Sequence, residues 1–196
     1  MIMKLNEQPM ALPMRCVLPD GASVLIRTAQ PDDVARLERL FYRLSPQSIA
    51  RYFFLPLPRE PYWAARLGEL ARTDGHDHEA LVALVEDEIV GVARYDREAA
   101  SEEAEFGLMI EDGWQQRGLG KRLLGWLVAQ ARRHGVSTFT AFIQGENRRA
   151  LRLVAALFPT AQTRSYGPEC LVQAPTALLR RVDCCSGETM SSPEGR

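Results

Sequence analysis

Residues 104 to 135 read as one uninterrupted unit. An apolar run, Ala104-Glu105-Phe106-Gly107-Leu108-Met109-Ile110, has strand character and leads through Asp112-Gly113 into the strongest helix of the sequence. Leu119, Leu123, Leu127 and Ala131 recur there at spacing four, with Leu124 and Val128 beside them, and Arg132-Arg133-His134-Gly135 ends it with cations and a glycine. The junction, Gln115-Gln116-Arg117-Gly118-Leu119-Gly120-Lys121-Arg122, puts three cations in the first helical turns. Cations oppose the helix macrodipole at that end by about 0.3–1 kcal/mol each. An anion seated among them explains the placement, and Gly118 and Gly120 let the backbone come close enough to present free amides to it. A phosphate or pyrophosphate is the natural occupant; a solvated basic helix start, with the glycines serving only the turn, is the competing reading.

Other phosphate loops fit less well. A Walker loop needs glycine five residues before Gly120, where Gln115 stands, and the dinucleotide fingerprint needs a third glycine where Leu123 stands. The balance of 24 basic against 25 acidic residues gives no bulk reason to bind nucleic acid or an anionic membrane, so any anion is held locally. The four cysteines (Cys16, Cys170, Cys184, Cys185) have no zinc or thioredoxin spacing and read as reduced thiols. Asp74-Gly75-His76-Asp77-His78 resembles a metal loop only superficially, and no metal is expected. With no signal-like or membrane-length apolar run, the expectation is a soluble cytoplasmic protein.

Around that unit, residues 1–21 read as an irregular lead-in, 22–182 as one domain, and 183–196 as a disordered tail. Ala22 onward gives a strand, Pro31-Asp32-Asp33 opens a helix, and a second begins at Pro46. Trp63, Leu67 and Leu70 mark a third. Ala80–Val85 and Ile89–Tyr95 form a hairpin, Ser137–Ile143 a strand, Asn147–Phe158 a helix, and 161–172 a closing hairpin. Tyr52-Phe53-Phe54 and Trp63 read as core aromatics that could instead line a pocket.

Gln115 to Gly120 matches the pattern Q-x-x-G-x-G, and with it the chain resembles the GNAT N-acetyltransferase superfamily. The likeness extends to the strand 104–110, the hairpin 81–95 and Asn147-Arg148-Arg149-Ala150-Leu151-Arg152-Leu153. Ile26-Arg27, Leu44-Ser45-Pro46-Gln47-Ser48 and Arg51-Tyr52-Phe53-Phe54 are similar to the bacterial Pat-type protein lysine acetyltransferases. The resemblance implies an α/β (α+β) fold in which a mixed central β-sheet, flanked by helices, has splayed central strands that admit acetyl-CoA. It further implies that backbone amides across Gln116, Arg117, Gly118, Leu119, Gly120 and Lys121 hold the pyrophosphate. Main-chain groups of Leu108, Met109 and Ile110 would pair with the pantetheine amides, and Asn147 would reach the cofactor.

Glu105 is a carboxylate inside an otherwise apolar strand and resembles the catalytic glutamate of the Pat-type enzymes. A lysine amine starts near pKa 10.4, so attack requires a base, and partial burial would make Glu105 a better one. The competing reading is an outward-facing strand residue. Many superfamily members carry a Tyr acid where this chain has Val154, and Leu157-Phe158-Pro159 replaces the usual helix end, so no general acid is assigned. The resulting expectation is an acetyl-CoA-dependent N-acetyltransferase acting on a primary amine, first a protein lysine. The alternatives are a small-molecule amine acetyltransferase or a catalytically weak acetyl-CoA-binding sensor.

Overall fold

The computed structural model describes residues 12–54, 63–99, 101–177 and 179. Eight strands, β1 (Met14–Val17), β2 (Ser23–Thr28), β3 (His78–Val85), β4 (Glu88–Asp96), β5 (Glu103–Ile110), β6 (Thr138–Gln144), β7 (Gln162–Tyr166) and β8 (Glu169–Pro175), form one sheet. Its order is β1-β2-β3-β4-β5-β6-β8-β7. The helices are α1 (Val34–Arg43), α2 (Pro46–Phe53), α3 (Trp63–Leu70), α4 (Leu119–Arg133) and α5 (Arg148–Leu157).

Every strand pair is antiparallel except β5 with β6, which a crossover through α4 makes parallel. That pair holds register over three positions only, Glu103 to Thr138, Ala104 to Phe139 and Glu105 to Thr140. Beyond Glu105 the two strands part. β5 continues against β4 as far as Ile110, and β6 continues against β8 as far as Gln144. The splay expected of the central strands is therefore present.

The sheet separates two cores. Leu119, Leu123, Trp126, Leu127, Phe139 and Phe158 pack under α4 and α5, whereas Leu37, Leu40, Phe41, Ile49, Leu67 and Met109 pack under α1 to α3. Strand β3 explains why its sequence runs apolar without alternation: Leu81 and Ala83 serve the first core, Ala80, Val82 and Leu84 the second.

Two expectations change. Where an irregular lead-in was read, β1 pairs Met14 through Val17 with Ile26 through Ser23 and buries Cys16. Cys170 is a free thiol, but Cys16 is disulfide-bonded rather than reduced. The tail 183–196, with Cys184 and Cys185, and the side chain of Trp63 lie outside the described residues. No helix among the described residues is long and apolar enough to cross a membrane.

Candidate active site

A cavity of about 690 Å³ is lined by the diverging halves of β5 and β6, the start of α4, and α2. That volume lies within the common range for small-molecule sites, roughly 300–1,000 Å³. Local sequence fixes each wall. Ser45 caps α2 by accepting from the Ser48 amide at 3.2 Å, with Pro46 in the first turn. Helix α4 has no side-chain cap: Gly118 takes the N-cap position with φ +88°, and the first intrahelical bond runs from the Arg122 amide to the Gly118 carbonyl. The amides of Leu119, Gly120 and Lys121 thus have no carbonyl one turn behind them, which leaves the positive end of α4 open to an anion.

The expected anion-binding residues divide. Gln115, Gln116, Gly118, Gly120 and Lys121 line the cavity. Leu119 is fully buried in the core. Arg117 does not line it; its guanidinium pairs with Asp20 and stacks 4.0 Å over the Trp114 ring. Arg122 donates to the Val17 carbonyl at 3.1 Å. Both are drawn to the β1–β2 corner, the segment read as irregular; the Arg117 charge is paired there, while Arg122 meets a neutral carbonyl and keeps a buried Nε without a partner among the described residues. Gly120 serves packing as well, since a Cβ there would stand 3.1 Å from Leu108 Cδ2 and 3.4 Å from Leu153 Cδ2.

Two cations that sequence reasoning passed over line the cavity instead. Arg149, the second residue of α5, donates to Gln115 Oε1 at 3.3 Å, and Arg51 comes from α2 with a buried Nε that has no partner among the described residues. The Gln115 amide also donates to the Ile110 carbonyl at 3.1 Å and to Ser48 Oγ at 3.2 Å, so one of the main-chain groups assigned to the pantetheine is already engaged. Leu108 and Ile110 are half-buried along the edge of β5 that β6 abandons, while the Met109 side chain turns into the core. Asn147 lines the cavity, but its Oδ1 caps α5 by accepting from the Ala150 amide at 3.2 Å. Its amide nitrogen, with two donors, and one lone pair of Oδ1 are left for a ligand.

At the other end stand Glu105, Asp96, Arg94, Glu69 and Tyr52. Glu105 is the last β5 residue paired with β6 and is exposed to the cavity, not partly buried as expected. Val154 lines the cavity from α5 and is 5% exposed, an apolar surface where a hydroxyl would be needed. From the opposite wall α2 brings in the Tyr52 hydroxyl, which would stand only 2.9 Å from a Cβ at Gly107. Burial pushes this phenol up to about 12, against the pull of the nearby Arg94 guanidinium. Arg94 in turn pairs with Asp96, whose other oxygen meets His78 Nδ1 at 2.9 Å. The His76–His78 loop is held otherwise: the Asp74 carboxylate accepts three backbone N–H groups, which lower it to about 2. No group of three metal-ligating side chains converges among the described residues.

The fold has counterparts in solved structures. The GNAT domain of PAT from S. lividans superposes with a TM-score of 0.76 at 24% identity, over 86% of this chain and 99% of that one. A cAMP-binding acyltransferase from Mycobacterium smegmatis matches at 0.59 and 23% over 84% of this chain, which spans 47% of that protein. The PaiA N-acetyltransferase of Thermoplasma acidophilum, solved in complex with coenzyme A, matches at 0.61 and 16% over 79% and 99% of the two chains. At these identities the likeness is one of fold. The model of the acetyltransferase (GNAT) family matches residues 43–157, from the end of α1 through α5 and across the whole cavity. With well over half its length so matched, the chain belongs to the GNAT family of acetyltransferases.

Proposed function

We propose that this chain transfers an acetyl group from acetyl-CoA to a primary amine, with a protein lysine as acceptor, in the cytoplasm. The observation that carries the reading is the break in the β5·β6 ladder immediately after Glu105. It leaves the edge of β5 from Gly107 to Ile110 without a strand partner among the described residues and sets a carboxylate at the point where the gap begins. An extended amide-bearing arm fits such an edge as an added strand does. Lys121, Arg149 and the open amides of α4 suit the phosphate end of the same molecule, and the uncapped Gly118 turn is a cradle that a Cβ would crowd against Arg122 and Pro19.

An ammonium reaching the site first gives one proton to solvent; Glu105 takes the second, which the free amine loses as its nitrogen bonds to the acetyl carbon, while the C–S bond breaks and its electron pair leaves with sulfur. Glu69 and Glu105 present carboxylates to the acceptor end, which favours an amine that arrives as a cation. Val154 supports a second reading, a domain that binds acetyl-CoA without turning it over, because α5 offers no acid. The two separate in one assay: purified protein with acetyl-CoA, lysine peptides and small amines, followed by release of CoA thiol. Turnover with peptides supports lysine transfer, turnover with amines alone moves the acceptor to small molecules, and binding without any thiol release supports the sensor.

A further inference from the structure

We propose that Tyr52 supplies from α2 the hydroxyl that α5 lacks, donating a hydrogen bond to the thioester end of acetyl-CoA and stabilising the negative charge that gathers there as sulfur leaves. This rests on the acetyl-CoA reading above. The position is the first argument. Gly107 lies in β5 between Glu105 and the free edge at Leu108 and Ile110, so it marks where the cofactor's arm would end and the base begins. The Tyr52 oxygen lies over this point, 2.9 Å from where a Gly107 Cβ would be, so that only glycine there leaves the hydroxyl room.

The second argument is the direction of the proton. The Arg94 guanidinium lies near the hydroxyl and has donors only, so it cannot accept the phenol's proton, which must point elsewhere. The charged groups around the hydroxyl are Arg94 and Asp96 on β4 and Glu105 on β5. Asp96 is engaged by Arg94 and His78, so the cavity remains the open direction. The aromatic body of Tyr52 packs edge-on against Phe53 at 4.8 Å, which a phenylalanine would do equally well; the hydroxyl is the part that packing does not explain.

The bond is a donation and not a proton transfer. With its phenol at about 12, Tyr52 keeps its proton beside a thiolate whose ordinary pKa is about 8.5. The balance is complete without it: C–N forms, C–S breaks, the pair goes to sulfur and the amine proton goes to Glu105. A donor preorganised toward developing charge is worth about 10²–10³ in kcat when removed.

The test uses CoA itself. The thiol of protein-bound CoA, titrated by its ultraviolet thiolate absorbance, is to ionise about one pH unit lower in the wild type than in Tyr52→Phe, equivalent to roughly tenfold tighter binding of the thiolate form. The same variant is to lose about 10²-fold in kcat while its Kd for acetyl-CoA stays within about twofold. Gly107→Ala, whose Cβ displaces the hydroxyl, is to reproduce the first change and serves if Tyr52→Phe does not fold. Identical thiol titrations in wild type and variants would overturn the proposal. A wild type that binds CoA but acetylates no amine would instead overturn the transferase reading, and the thiol titration would still decide the role of Tyr52.

Discussion

Arg117 and Lys121 stand one helical turn apart, yet only Lys121 lines the cavity. The difference comes from Asp20, which captures Arg117 across 97 residues of sequence. Spacing could place three cations at the helix start but not show which of them had a prior partner. Substituting Lys121 with alanine is expected to weaken acetyl-CoA binding about tenfold, the worth of one charged hydrogen bond, whereas Arg117→Ala leaves it within about twofold; calorimetric titration of both variants checks this. Asp33 illustrates the same principle in the core. It is fully buried and grips Arg27 through bonds of 2.6 and 2.7 Å, and these bonds hold its carboxyl below the usual range despite burial. Arg27→Ala leaves that charge with only Arg36 at 3.4 Å and the Gln30 amide at 2.9 Å among the described residues, and is expected to cost about 3 kcal/mol in urea unfolding at neutral pH. Because the folded carboxyl is the more acidic, the pair's contribution is complete above the ordinary Asp range, near pH 4, and fades as pH falls below it.

Among the elements, α2 connects the two ends of the cavity. Asp112, in the turn after β5, accepts from the Ser45 amide at 2.8 Å, Ser45 Oγ at 2.9 Å and Ser48 Oγ at 2.8 Å. Gln144 Nε2, at the end of β6, reaches the Ala50 carbonyl at 3.0 Å. The helix therefore spans both diverging strands, and its position sets that of Tyr52. Asp112→Ala is expected to cost about 1–3 kcal/mol in stability, and to lower acetyl transfer by more than that loss predicts, because α2 is released as a unit; thermal unfolding and turnover measured side by side check it. This coupling was invisible in sequence, where Ser45-Pro46 reads as a helix stop and start and Tyr52-Phe53-Phe54 as core. The helices themselves were legible from caps and period, as α4 illustrates. Strand β1 was not, since its four residues, Met14–Val17, carry no period and become a strand only by pairing with β2.

At the scale of the whole molecule, the sheet has a core on each face, and the splay exists because a single parallel pair joins two antiparallel halves. That arrangement followed from the resemblance rather than from periodicity, which could order the elements but not show where one ladder stops. The packed sheet also buries Glu79 at 4% exposure, with Thr73 as a long partner at 3.4 Å, and burial raises its carboxyl above the ordinary range. The folded state thus holds this proton longer than the unfolded one, and stability falls as pH rises from about 4.5 through the folded value. Glu79→Gln should raise Tm at pH 8 and leave it nearly unchanged at pH 4, which thermal scans at the two pH values check. The most direct measurement of the activity is acetyl transfer by Glu105→Gln, read as CoA thiol release with the best acceptor and paired with the Kd for acetyl-CoA. Turnover reduced by about 10²-fold or more with an unchanged Kd is the predicted result; full turnover in Glu105→Gln would contradict a mechanism in which this carboxylate frees the amine to attack.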